Sequence, residues 1–103
     1  MLEQRLFRIR GKPTREAKIR SDQDRVDYQK ACLRIEEYVN RRAFEDRSEV
    51  QVFAFANIAT DLALPIEWVR SALVGGGHNG MTVKVTEAQR EELARRFSQS
   101  SNG

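Results

Sequence analysis

Residues 55–73 read FANIATDLALPIEWVRSAL, and this stretch has the pattern of two short helices joined by a tight turn. The break falls at Pro65, because proline is disfavoured inside a helix but suits its first turn. Apolar residues on both sides of the break recur at steps of three and four, the spacing that forms one face of a helix. We therefore expect helices over residues 55–64 and 66–74.

The residues around this break suit two helices that cross closely. Ala59 is small enough to lie at the crossing, and Ile58 and Leu62 flank it on the side that faces a core. Ala63 and Leu64 then supply the small residue and the apolar plug of the turn. The second helix buries one side through three apolar residues, which are Val69, Ala72 and Leu73.

Upstream of this pair, residues 22–44 carry an amphipathic pattern that predicts a long helix. Residues 49–53, EVQVF, alternate in the manner of a short strand. Ser48 followed by Gln51 also fits a capping box, so a helix beginning at Glu49 is the competing interpretation.

Downstream, residues 75–80, GGGHNG, exclude a regular element, because glycine and asparagine here favour a loop. Residues 81–85 alternate apolar and polar side chains, which predicts a half-buried strand. A capping box then predicts a last helix at about 87–97. The expected order is therefore helix, strand, helix, turn, helix, loop, strand, helix.

This arrangement resembles the winged helix-turn-helix superfamily of bacterial DNA-binding regulators over about residues 24–97. The resemblance implies a mostly α fold with a small β-sheet, in the order α-β-α-turn-α-loop-β-α, in which the loop forms the wing. Ala63 departs from the glycine usual in the turn, and Pro65 departs from the usual capping Ser or Thr. The other wing strand is either missing or collapsed into residues 73–75.

A basic arm precedes this domain. Residues 1–25 hold eight Lys or Arg and four Asp or Glu, so this segment carries +4 and the rest of the chain −1. LFRIR, at residues 6–10, predicts a short edge strand that Gly11 and Pro13 end. We expect three parts: residues 1–20 as an arm, mobile or loosely docked, 21–97 as the winged domain, and 98–103 as a disordered tail.

The resemblance implies that the helix 65–74 enters the major groove of double-stranded DNA. Ile66, Glu67, Arg70 and Ser71 are expected to face outward, and Arg70 is the best reader of guanine. Lys84 and Asn79 of the wing region are expected to contact phosphate. The arm is expected to bind phosphate or the minor groove through Arg5, Arg8, Arg10, Lys12 and Arg15.

The sequence thus predicts a transcriptional regulator that binds specific DNA sequences, and two identical subunits would double its contact area. The dimer surfaces are expected on the first and last helices, through Tyr38, Phe44, Leu93 and Phe97. The alternative is a winged-helix adaptor or inhibitor that binds protein rather than DNA. The near-neutral helix 65–74 and an exposed Trp68 would favour that alternative.

Other classes of function find little support in the 103 residues. A single His and a single Cys argue against an enzyme, a metal site and a cofactor. Residues 75–82 nearly match a phosphate-binding loop, but Met81 replaces its lysine, and the loop follows a helix rather than a strand. No stretch is apolar enough to cross a membrane, so we expect a cytoplasmic protein.

Overall fold

The structure, a computed structural model, describes residues 5–100 and has a mixed α and β architecture. Within that range lie four α-helices and two antiparallel sheets of two strands each. In chain order the elements are β1 (Arg8–Ile9), a 3-10 helix (Arg15–Ala17), α1 (Asp22–Glu45), β2 (Val50–Ala54), α2 (Phe55–Leu62), α3 (Ile66–Ala72), β3 (Leu73–Val74), β4 (Gly80–Lys84) and α4 (Glu87–Ser100). The expected order of helices and strands after residue 20 is observed with β3 as an additional strand, and a strand rather than a helix follows α1. The expectation of a disordered tail from residue 98 is wrong over residues 98–100, because α4 continues to Ser100, and residues 101–103 lie outside the described residues.

The long helix α1 is the element against which α2, α3 and α4 pack. It begins where the Ser21 side chain accepts a hydrogen bond from the backbone N–H of Asp24, which satisfies one free donor of the first turn. Tyr28, Ile35 and Val39 follow at helical spacing and are fully buried. Their burial on one face of α1 accounts for the amphipathic pattern of the sequence.

A left-handed residue forms the turn between α2 and α3. Ala63 has φ 54° and ψ 49°, a conformation that costs an L-residue about 1–2 kcal/mol relative to glycine. The backbone N–H of Leu64 donates to the carbonyl oxygen of Ala59 at 2.9 Å and closes the turn. Ala59 is 8% exposed and α2 packs against α3, which agrees with the small residue that the sequence predicts at this contact.

The strands pair differently from the expected wing. β2 pairs with β4, with Gln51 opposite Val83 and Phe53 opposite Met81. β3 occupies residues within the predicted 73–75, but it pairs with β1 of the arm rather than with β4. The glycine loop after residue 74 therefore connects two different sheets and does not join two paired strands.

The apolar side chains of α4 close the core against α1. Leu93 and Phe97 are 4% and 5% exposed, and the Phe97 ring stacks on Phe44 with a centroid distance of 5.4 Å. The expectation that Leu93 and Phe97 are spare groups for a dimer is wrong, because both pack inside one chain. Within residues 5–100, no helix is long and apolar enough to cross a membrane.

We predict that Ala59→Leu lowers the free energy of unfolding by about 1–3 kcal/mol, because a larger side chain overpacks the contact between α2 and α3. The matched control is Ala56→Leu on the same helix, where the side chain is exposed and the change is expected to stay within about 0.5 kcal/mol. Chemical denaturation of both variants measures the difference. Equal stabilities of the two variants would show that Ala59 has room around it.

Candidate nucleic-acid interface

The N-terminal arm packs firmly against the domain. Phe7 and Ala17 are 2% and 3% exposed, and the Phe7 ring meets Phe53 edge-on at 5.1 Å. Beyond the pairing of β1 with β3, the backbone N–H of Arg10 donates to the carbonyl oxygen of Ala72 at 2.7 Å. The expectation of a mobile or loosely docked arm is wrong over its described part, because its apolar side chains belong to the core.

A buried chain of hydrogen bonds joins the arm to α1 and α3. The backbone N–H of Thr14 donates to Ser71 Oγ at 2.9 Å, and Tyr28 Oη donates to the carbonyl oxygen of Arg10 at 3.0 Å. Since the Tyr28 hydrogen is used on Arg10, the hydroxyl of Ser71 donates across the 2.9 Å contact between the two side chains. Ser71 is only 1% exposed, so the prediction that it faces outward is wrong.

The 3-10 helix of the arm covers α3. Trp68 Nε1 donates to the carbonyl oxygen of Ala17 at 2.9 Å, and Arg70 Nε forms an ion pair with Glu16 at 2.6 Å. The side chain of Arg70 is 14% exposed, and every residue of α3 is half-buried or buried. The expected base readers Ile66, Glu67 and Arg70 are therefore half-buried, and Arg70 is engaged by Glu16.

Four cationic side chains line one open groove between the arm and the start of α1, with a volume of about 500 Å³. We call it the basic groove, and its cations are Lys12, Arg15, Lys18 and Arg25. No Asp or Glu from the described residues 5–100 lines this groove. The groove therefore concentrates positive charge on one side of a chain whose net charge is only +3.

Local backbone structure brings these cations together. Lys18 adopts a left-handed conformation with φ 54° and ends the 3-10 helix, so the chain reverses towards α1. Two neighbouring carboxylates are already engaged. Glu16 is bound to Arg70, and Asp24 accepts a hydrogen bond from the backbone N–H of Arg20 at 3.0 Å. Neither lines the groove.

The predicted site residues separate into distinct places. Lys12 and Arg15 lie together in the basic groove, whereas Asn79 and Lys84 lie on the glycine loop and β4 and do not line it. Other predicted residues of the arm are the exposed Arg5 and Arg8 and the half-buried Arg10. Arg10 Nη1 donates to the carbonyl oxygen of Ser71 at 3.2 Å.

Sequence reasoning did not assign Lys18 and Arg25 to the site. The signal was present in the excess of basic residues over positions 1–25, which includes both side chains. Their convergence depends on the reversal at Lys18, and periodicity does not reveal a left-handed residue that is not glycine. The charge composition thus indicated the basic segment 1–25, but the backbone turn at Lys18 determined which of its cationic side chains lie together.

The remaining chemistry of the described residues is sparse. Within residues 5–100, no three His, Cys, Asp or Glu side chains come together as a metal site. Burial raises the pKa of the Cys32 thiol, which points at the carbonyl oxygen of Arg10. A thiol with a raised pKa is a poor nucleophile, because the thiolate is the reactive form.

Comparison of this chain with protein-family models, with curated proteins and with solved structures finds no match.

We predict an alkaline loss of stability that arises from Tyr28. Burial raises its pKa to about 12, so the unfolded chain loses this proton at a lower pH than the folded chain does. The contribution of Tyr28 is complete below about pH 10 and falls by about 3 kcal/mol as the pH rises through about 12. Denaturant unfolding of the wild-type protein and of Tyr28→Phe across this range measures it.

Tyr28→Phe should be less stable at neutral pH by about 1–3 kcal/mol, because Ser71 and the Arg10 carbonyl lose a partner. It should then lose less stability than the wild type above about pH 10. Tyr38→Phe is the comparison: burial also raises the pKa of Tyr38, so this variant should show a change of the same sign, but a smaller one because Tyr38 is only half-buried. Parallel pH profiles of wild type and Tyr28→Phe would contradict the burial that raises the pKa of Tyr28.

Proposed function

We propose that this protein binds double-stranded DNA, with its phosphate contacts supplied by the basic groove. The observation that carries the proposal is the convergence of Lys12, Arg15, Lys18 and Arg25 in one open groove without a lining carboxylate. Phosphate contacts from Lys and Arg release condensed counterions, and this release is a main source of affinity for DNA. The arginine fork also matches two phosphate oxygens at once.

We further propose that residues 21–97 are a winged helix-turn-helix domain that acts in transcriptional regulation. The close crossing at Ala59 and the left-handed turn at Ala63 support this architecture. So does the pairing of β2 with β4, because these strands lie before α2 and after α3 and form a small sheet. A homodimer on a symmetric DNA site remains part of the proposal.

The 3-10 helix of the arm covers α3, and this affects how such a domain would contact DNA. Base reading by Arg70 requires its guanidinium to leave Glu16, and access to α3 requires the 3-10 helix to move from Trp68. The basic groove needs no such movement, because its cations already border an open space. Phosphate binding by the groove is therefore the contact that the geometry supports best, and base reading by Arg70, the expectation from the sequence, is not expected while the arm is docked.

A protein-interaction module without DNA binding is the second candidate. Trp68, the anchor expected for it, is half-buried and bonded to Ala17, which removes its main support. A different observation favours it: Val50 and Val52 on β2 are 57% and 74% exposed. Failure of the intact protein to retard any duplex at low salt would favour this candidate over DNA binding.

We predict that neutralising any one cation of the basic groove weakens binding to all duplex sequences alike. The variants are Lys12→Gln, Arg15→Gln, Lys18→Gln and Arg25→Gln. Each phosphate that a variant no longer neutralises should make the slope of log affinity against log salt concentration shallower by about 0.9. Fluorescence anisotropy with two unrelated duplexes over a salt series measures both effects.

The matched control for this series is Arg47→Gln. It removes the same charge beyond the C-terminal end of α1, roughly 30 Å along the helix from Arg25. The control should keep a slope close to that of the wild type. A control that changes the slope as much as the groove variants do would mean that net charge alone acts, and the groove would lose its role.

A second prediction separates the groove from α3. Arg70→Ala should leave the ranking of affinities among different duplexes unchanged, because Arg70 is held by Glu16. Glu16→Gln breaks the same ion pair but keeps Arg70, so it tests whether a released guanidinium reads bases. If Arg70→Ala relaxes the preference at one base pair by about 1–3 kcal/mol, α3 reads the major groove after all.

A further inference from the structure

A second cavity opens beside the basic groove, between the arm and the exposed face of α1. Its volume is about 460 Å³, within the range of about 300–1,000 Å³ typical of ligand sites. It shares Lys12, Pro13 and Arg25 with the basic groove, so the two spaces adjoin. We call it the apolar pocket, because aliphatic side chains from both elements line it.

The apolar lining comes from Ile9 of β1, Pro13 of the arm and Leu33 of α1. Leu33 is 70% exposed, although it projects from the best-packed helix of the domain. Cys32 lies beneath and is only 6% exposed. Leu33 therefore places an exposed apolar wall directly beside the cations Lys12 and Arg25 of the same cavity.

Two polar side chains complete the pocket. Gln29 and Glu36 lie four residues before and three residues after Leu33, so all three project from the same face of α1. The Gln29 amide can donate and accept hydrogen bonds, and the Glu36 carboxylate accepts them. The pocket thus combines aliphatic walls, hydrogen-bonding groups and, at the shared edge, the cations Lys12 and Arg25.

We propose that the apolar pocket holds the base of an unpaired nucleotide whose phosphate lies on Lys12 and Arg25. This inference rests on the proposed DNA binding and deepens it. The base lies against Ile9, Pro13 and Leu33, and Gln29 and Glu36 bind its edge. A base inside a duplex is stacked on both faces and cannot enter, so the pocket favours DNA with an unpaired nucleotide beside the duplex.

The polar groups select this ligand over a purely aliphatic one. An alkyl chain would offer no hydrogen-bond partner to Gln29, which is exposed, or to Glu36, which is half-buried. A base instead offers ring nitrogens and exocyclic groups at its edge. Since a carboxylate accepts from an amino group and a glutamine amide pairs with adenine, the pocket favours bases with exocyclic amino groups over thymine.

The test compares three forms of one duplex with the full-length protein at a single salt concentration. One form is blunt, the second carries a short single-stranded extension of adenines, and the third carries the same extension with abasic sites. The second and third forms have the same number of phosphates and differ only in the bases. We expect the adenine extension to bind at least about fivefold more tightly than the abasic one, the effect of about one added hydrogen bond, and more tightly than a thymine extension.

Leu33→Gln should remove the difference between adenine and abasic extensions and leave binding to the blunt duplex unchanged. Leu33 is exposed, so the variant should fold, and thermal unfolding checks this. Val52→Gln is the matched control, because it makes the same kind of exposed substitution on β2, away from the residues that line the pocket. It should keep the wild-type difference.

The outcomes distinguish this inference from the proposed function. Equal binding of the adenine and abasic extensions, with blunt-duplex binding intact, would overturn the pocket and leave the basic groove in place. A Leu33→Gln variant that retains the wild-type difference would overturn it as well. Absence of binding to every form at low salt would overturn DNA binding itself and the pocket with it.

Discussion

The hydrogen-bond chain from Thr14 through Ser71 and Tyr28 to Arg10 holds three distant parts of the sequence together. Its contacts span 57, 43 and 18 residues, and Tyr28 at its centre is fully buried. A buried polar group that loses its partner costs about 1–3 kcal/mol, so each link stabilises the others. This chain of hydrogen bonds thereby determines where the arm lies on α1 and α3.

The docked arm creates the charged surface. Lys12, Arg15 and Lys18 come from the arm, and Arg25 comes from the first turns of α1, so the groove exists only where the two segments meet. Cations on a flexible arm would lose conformational freedom on binding phosphate. Cations on a packed arm have lost part of it during folding, which lowers the cost of association. Burial of Phe7 and Ala17 supplies the stability that holds them there.

The sequence predicts the body of the fold well and the arm poorly, and the difference has a physical cause. The helices and the strand β4 repeat apolar residues at regular steps that match their buried faces, which periodicity detects. In β2 the alternation indicates the strand but not its buried face, because Gln51 and Phe53 are buried and Val50 and Val52 are exposed. The edge strand predicted at residues 6–10 is present as β1, but the arm buries Phe7 and Ala17 ten residues apart without any period, so no local pattern reveals that it is docked. Ser71 has the same difficulty, because it is buried by hydrogen bonds to residues that lie far away in the sequence.

The two ways in which this protein could contact DNA exclude one another within a single molecule. With the arm docked, the basic groove is complete, but the 3-10 helix covers Trp68 and Glu16 holds Arg70. With the arm released, α3 would be uncovered, but the cations of the arm would no longer face Arg25. Release would also expose Phe7 and Ala17 and break the hydrogen bonds to Ser71 and Tyr28. The larger number of favourable contacts lies with the docked state, and this balance favours the groove over α3 as the proposed phosphate-binding surface.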